Sequence, residues 1–147
     1  MSDIFEVFNK TLPWEWDESE TSDHHMTAYF KIDDAEYNVE FESSMEDQWG
    51  FDFGRSVGNS APVSDITGTG NQYAVFSTVI AIVKDFIRQV DPNQIVFSAA
   101  RKEPSRVKLY DRMVKMFPKD QYDINVSDVV DGSHYYVTKK GVQHNAA

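Results

Sequence analysis

A chain of 147 residues with 41% hydrophobic and 14% aromatic residues has the length of one domain and enough apolar surface for one core, so residues 1–147 are expected to fold as a unit. It contains no cysteine, which excludes disulfides, a thiol nucleophile and thiolate-bound metal. With no basic and apolar leader after Met1, and no run near the ~18 apolar residues of a membrane span, a cytoplasmic protein is the expectation. The net charge of −10 is unevenly spread: residues 1–65 hold 16 acidic and 3 basic side chains, and residues 66–147 hold 8 and 11. Seven of those basic residues fall between Arg101 and Lys119. An anionic ligand is therefore drawn to the C-terminal half, while the overall acidity opposes nucleic acid.

Residues 1–26 divide into a short amphipathic helix, marked by Ile4, Phe5, Val7, Phe8 and Leu12, and the acidic aromatic run Trp14-Glu15-Trp16-Asp17-Glu18-Ser19-Glu20. That run is too charged to pack alone, and its tryptophans are expected to dock on the core. A period of two then begins. Residues 28–32, the turn Asp33-Asp34 and residues 37–42 read as an antiparallel hairpin, and residues 49–54 as a third strand with one buried face. Residues 58–62 form a loop.

The glycine turn Thr67-Gly68-Thr69-Gly70-Asn71 opens directly onto residues 73–90, where Val75, Val79, Ile82, Val83, Phe86, Ile87 and Val90 recur at helical spacing. Glycines allow a tight turn whose amides and helix dipole face outward, a seat suited to phosphate. Asp91-Pro92-Asn93 stops the helix, and residues 94–98 form an interior strand. A second helix runs over residues 104–117, from Pro104 in its first turn to Phe117 before Pro118. Residues 123–126 and 134–138 close the sheet around Asp131-Gly132, leaving 139–147 as a frayed tail. The order β-β-β-α-β-α-β-β predicts a mixed α/β (α+β) domain with helices on both faces of its sheet.

Among side chains that carry chemistry, Glu40, Glu42 and Asp52 alternate with aromatics on the predicted strands, and a carboxylate beside Phe41, Phe51 or Phe53 acquires base character through a raised pKa. The pair His24-His25 is not expected to bind metal, because neighbours on a strand point apart and no third ligand follows at helical spacing. No histidine and acid accompany Ser77 or Ser98 at a hydrolase spacing.

From Asp65-Ile66-Thr67-Gly68-Thr69-Gly70, through the strand from Gln94 to Ser98, to Leu109-Tyr110-Asp111-Arg112, the C-terminal half resembles the Gcn5-related N-acetyltransferase (GNAT) superfamily. The resemblance spans about half of the chain and implies a largely antiparallel GNAT-like sheet flanked by helices. It implies acetyl-coenzyme A as cofactor, held by Thr67, Gly68, Thr69, Gly70, Asn71 and Arg106, with transfer of the acetyl group to the amine of a small molecule or protein. Tyr110 would protonate the departing thiolate, and Glu42 or Asp52 would be the base. The chain departs from the family pattern at Asp65, where a basic or amide residue is usual, and at Lys115, where a Gly-Phe pair usually begins. It is also similar to small proteins of tailed bacteriophages, which would place it in a host cytoplasm. The alternative function is a non-catalytic acidic interaction protein, an inhibitor or nucleic-acid mimic that meets a host protein through the acidic N-terminal half.

Overall fold

Alternation along each strand sends the large apolar side chains to one face of a single sheet, and that one-sidedness sets the architecture. The computed structural model describes residues 11–20, 22–32, 35–45, 48–55, 72–100 and 104–141. In chain order these contain β1 (Trp14–Trp16), a 3-10 turn (Glu18–Glu20), β2 (His25–Ile32), β3 (Ala35–Met45), β4 (Gln48–Arg55), α1 (Gln72–Val90), β5 (Gln94–Ala100), α2 (Pro104–Lys115), β6 (Tyr122–Val129) and β7 (Gly132–Lys139). The strands form one seven-stranded sheet in the order β1-β2-β3-β4-β5-β7-β6. Every neighbouring pair is antiparallel except β4 and β5, which are parallel.

The register aligns the apolar residues in rows across the sheet. Trp16, Ala28, Val39 and Phe53 make one row, and Met26, Phe41 and Phe51 the next. Beyond the parallel pair, Phe97 faces Tyr135, and Ile95 and Ile124 flank Val137. Two helices cover these rows. Phe86 of α1 stacks on Phe41 with ring centroids 4.0 Å apart and meets Trp49 edge-on at 5.1 Å. Tyr110 of α2 lies against Phe51, Phe97 and Tyr135.

The expected order of elements and the mixed, largely antiparallel sheet are present, with β1 as an additional edge strand. The expectation also put helices on both faces of the sheet, whereas both described helices share one. Their placement follows from topology. The β4-α1-β5 and β5-α2-β6 crossovers run the same way across the sheet, and right-handed connections then place both helices on the same side. The opposite face presents Glu40, Glu42, Asp52 and Ser98 to solvent. The helix read over Ile4 to Phe8, the loop at residues 58–62 and tail residues 142–147 lie outside the described residues.

The acidic aromatic run packs as expected of its tryptophans. Trp16 contacts Phe41 and donates its indole N–H to Asp85 Oδ2 at 2.8 Å, joining β1 to α1. The Leu12 amide donates to Thr78 Oγ1 at 2.9 Å, and Thr78, fully buried, donates in turn to the Ala74 carbonyl at 2.7 Å. At the other end of α1, Asp91 adopts the left-handed conformation (φ 51°) that ends a helix. Lys139, read with the frayed tail, instead ends β7. Its ammonium lies 2.7 Å from Asp91 Oδ1, and its amide donates to the Asn93 carbonyl at 2.9 Å.

Two outcomes follow from these contacts. Phe86→Ala removes the ring shared by Phe41 and Trp49 and is expected to cost about 3–5 kcal/mol in urea unfolding. Burial pushes the Asp85 pKa up, but hydrogen bonds from Trp16, Arg88 and Gln89 outweigh it and leave it below the ordinary 3.8. A folded-state pKa below the unfolded one contributes stability that is present above the unfolded value and lost as pH falls through the folded one. The stability difference between the native protein and Asp85→Asn should thus be constant above about pH 5 and shrink in more acid solution, as followed by urea titrations across pH.

Candidate functional site

The parallel pair is where the sheet opens. Its pairing covers Gln48 with Gln94, Trp49 with Ile95 and Gly50 with Val96. Both strands continue, β4 to Arg55 and β5 to Ala100, without further pairing between them. A parallel ladder that stops halfway leaves backbone groups of both strands turned toward a gap, available to a ligand.

An aromatic cluster underlies the gap on the helix side. Phe51 from β4 and Phe97 from β5 meet edge-on at 5.8 Å, and Tyr110 lies 5.8 Å from Phe51 and 4.7 Å from Phe97. Tyr110 is 0% exposed. Helical spacing accounts for its direction, because Leu109, Tyr110, Met113 and Phe117 form the buried stripe of α2 and its C-terminal turn. Tyr135 stacks on Phe97 at 5.1 Å and donates its hydroxyl to Asp111 Oδ1 at 2.9 Å. Burial, followed by the hydrogen bond to and charge of Asp111, pushes the Tyr135 pKa far above its usual value. This hydroxyl stays protonated near neutrality and works as a donor.

On the other face, beside the point where the strands part, a cavity of about 470 Å³ is lined by Glu40, Glu42, Ser43, Gly50, Phe51 and Asp52. Cross-strand register assembles it: Glu40 stands opposite Asp52, and Glu42 opposite Gly50. Glycine at position 50 keeps that side of the cavity low. His25 Nε2 approaches Glu40 Oε2 to 3.6 Å. The three carboxylates form one negative patch, favourable to a cation in the cavity.

The structure thus brings Glu40, Glu42 and Asp52, the three carboxylates singled out in the sequence, together on one face. It places Tyr110 on the other face of the same strands, so that the carboxylates and the phenol can share a ligand only through the gap. Base character was expected for a carboxylate beside Phe41, Phe51 or Phe53. Phe41, Phe51 and Phe53 point to the helix side by strand alternation, while Glu40, Glu42 and Asp52 are exposed. Thr67, Gly68, Thr69, Gly70 and Asn71, and the side chain of Arg106, lie outside the described residues; α1 begins at Gln72, directly after them. Among the described residues, no group of three or more histidines, aspartates or glutamates could hold a metal ion. No described helix is long and apolar enough to cross a membrane. The parting of β4 from β5 is a feature that sequence reading missed, because a pattern of side chains carries no record of which strands pair.

No protein-family profile matches this sequence, and no curated protein matches it. Solved structures do resemble it. A spermidine N-acetyltransferase from Vibrio cholerae is 10% identical, with 86% of this chain and 71% of that one superposed at a TM-score of 0.52. The N-acetyltransferase PseH of Campylobacter jejuni is 11% identical over 84% of this chain and 74% of its own, at 0.50. RimL, a ribosomal L7/L12 alpha-N-protein acetyltransferase solved with coenzyme A, is 8% identical over 79% and 62%, also at 0.50. The fold of this chain is that of the GNAT acetyltransferases.

The two faces of the site should respond differently to truncation. Tyr110→Ala empties a fully buried position and is expected to destabilise by about 3–5 kcal/mol. Glu42→Gln changes an exposed side chain and should stay within about 0.5 kcal/mol of the native protein. Paired urea unfolding curves measure both.

Proposed function

We propose that this protein is an acetyl-coenzyme A-dependent N-acetyltransferase acting on a cationic amine. The observation that carries the reading is the gap between β4 and β5, with a buried tyrosine beneath it and a cavity lined by carboxylates beside it. An unpaired stretch between two parallel strands fits the extended amide-bearing arm of the cofactor, whose N–H and C=O groups match those of the open ladder. The likeness to acetyltransferases of known structure supports the same reading through the fold.

In this reading Thr67, Gly68, Thr69, Gly70, Asn71 and Arg106 hold the phosphates of acetyl-coenzyme A, which supplies an acetyl group activated as a thioester. Glu40, Glu42 and Asp52 attract the acceptor as an ammonium ion. Glu42 or Asp52 takes one proton from it, directly or through water, and frees the lone pair that attacks the acetyl carbon. The Tyr110 hydroxyl gives a proton to the sulfur that leaves. Protons balance: one passes from the ammonium to a carboxylate, and one from the phenol to the thiol.

The exposed carboxylate face also favours the second reading, an acidic interaction protein with no catalysis. One titration separates the two. Acetyl-coenzyme A at a hundredfold excess over its Kd stabilises a binder by about 2.7 kcal/mol, a rise in Tm of roughly 5–10 °C for a chain of this size. An unchanged Tm removes the transferase reading. If binding is present, Tyr110→Phe should keep the Tm rise and lower kcat about 10²-fold or more, as expected when a general acid is lost; full turnover in that variant would remove the role given to Tyr110. Joint replacement of Glu42 and Asp52 by their amides should raise KM for a diamine more than for a neutral amine, which steady-state kinetics would detect.

A further inference from the structure

The buried phenol of Tyr135 takes no part in the proton transfers proposed above, yet it grips the helix that carries Tyr110 at two points. Tyr135 is 1% exposed and stands on β7, a strand held by β5 on one side and β6 on the other, opposite Phe97 and Val126. Its ring stacks on Phe97 at 5.1 Å and meets the Tyr110 ring edge-on at 5.6 Å and 80°. Its hydroxyl donates at 2.9 Å to Oδ1 of Asp111, the residue next to Tyr110 on α2. A buried phenol requires a hydrogen-bond partner, and here the partner is the immediate neighbour of the side chain that the ring already touches.

Consecutive side chains on a helix point about 100° apart around its axis. A helix touched at only one of them can roll about that contact. Touched at both by one anchored side chain, it cannot roll without stretching a hydrogen bond or separating two rings. The other contacts in this seat give less direction. Leu109, Met113 and Phe117, the rest of the buried stripe, pack by apolar contact that has no preferred angle. Phe51 meets Tyr110 from β4, across the short parallel ladder. A hydrogen bond, by contrast, weakens steeply off its axis, and burial, then the hydrogen bond to and charge of Asp111, keep the Tyr135 hydroxyl protonated as its donor. Asp111 is exposed, so water would satisfy its carboxylate equally well. What the bond determines is the angle at which α2 lies on the sheet.

We propose that Tyr135 is a positioning residue for acetyl transfer: with its ring against Tyr110 and its hydroxyl on Asp111, it sets the roll of α2 and thereby aims the Tyr110 hydroxyl at the gap between β4 and β5. The inference rests on the role given above to Tyr110. Tyr135 itself gives up no proton and touches no reacting atom. Reacting groups tolerate displacement of only about 0.5 Å or 10–20°, and a misplacement near 1 Å costs about 10²-fold in rate. A modest roll of α2 reaches that range.

The test uses the full chain and four variants, at a temperature where unfolding curves show each of them folded. Tyr135→Phe keeps the ring and deletes the hydroxyl. Asp111→Ala deletes the acceptor, Asp111→Asn removes the same charge but keeps an accepting oxygen, and the fourth combines Tyr135→Phe with Asp111→Ala. In NMR spectra, nuclear Overhauser contacts from the Tyr110 ring to Phe51 and Phe97 should change in Tyr135→Phe and Asp111→Ala and stay close to native in Asp111→Asn. In turnover of acetyl-coenzyme A with 1,4-diaminobutane, Tyr135→Phe and Asp111→Ala should each lower kcat about 10- to 100-fold, with KM for acetyl-coenzyme A unchanged. The combined variant should lose no more than either alone, as partners in one contact do, and Asp111→Asn should recover most of the loss. A role in packing alone would lower stability and leave kcat of the folded protein in place. Unchanged ring contacts or native kcat in Tyr135→Phe, additive losses in the combined variant, or a KM that rises in step with the fall in kcat would each overturn the positioning role. Failure of the acetyl-transfer reading has a different sign: the native protein then gains no Tm from acetyl-coenzyme A, while the ring contacts, which need no ligand, still decide whether Tyr135 and Asp111 hold Tyr110 in place.

Discussion

Among the described residues, three residue pairs between β4 and β5 are the ladder joining the two antiparallel halves of the sheet, β1 to β4 on one side and β5, β7 and β6 on the other. So short a ladder cannot hold the halves in place, and packing against the helix layer must do so. Phe51 belongs to one half, Phe97 and Tyr135 to the other, and Tyr110 touches all three. Helix α1 bears mainly on the first half, through Phe86 on Phe41 and Trp49 and through Asp85 on Trp16. Its C-terminal corner reaches the second half through Asp91 and Lys139. The opening between the strands is therefore compatible with a stable fold, because its rigidity comes from aromatic contacts beneath it and not from hydrogen bonds across it.

The same one-sided alternation separates charge. Carboxylates of β3 and β4 are sent to the face without described helices, and the helices present their cations on their outer surfaces. Sign and place are thus correlated through the fold: a ligand approaching the strand face meets Glu40, Glu42 and Asp52, and one approaching the helix layer meets Lys84, Arg112 and Lys115. The uneven charge visible along the chain becomes a division between two surfaces of one sheet.

Much of this was legible in the sequence, for reasons specific to each element. The stripe Val75, Val79, Ile82, Val83 and Phe86 defines α1 because 3.6-residue spacing has no other reading over so long a run. The alternations at Tyr37 to Glu42 and Trp49 to Gly54 define strands. The tryptophans of β1 were legible as core residues but not as a strand, since three residues are too few for a period of two to stand out. Boundaries at β7 escaped because Lys139 is held by Asp91 and Asn93, contacts that link distant parts of the chain. Above all, the parting of β4 from β5 and the meeting of Tyr135 with Asp111 are tertiary facts, set by which strands pair and how a helix lies on the sheet.

The exposure of the carboxylate face has a consequence for the proposed reaction. Among the described residues, the connection from β1 to β2 holds the 3-10 turn Glu18–Glu20, and no described helix lies over Glu40, Glu42 and Asp52. Charges in contact with water interact weakly, about 1 kcal/mol for a pair at 4 Å in bulk solvent, and several times more when water is excluded. A single exposed carboxylate would thus discriminate poorly among acceptors. Three of them on one patch act additively on an acceptor that carries several positive charges, and each charge that docks displaces water from the next. Under the proposed function, such a patch would attract an acceptor with several positive charges more strongly than a compact monovalent one.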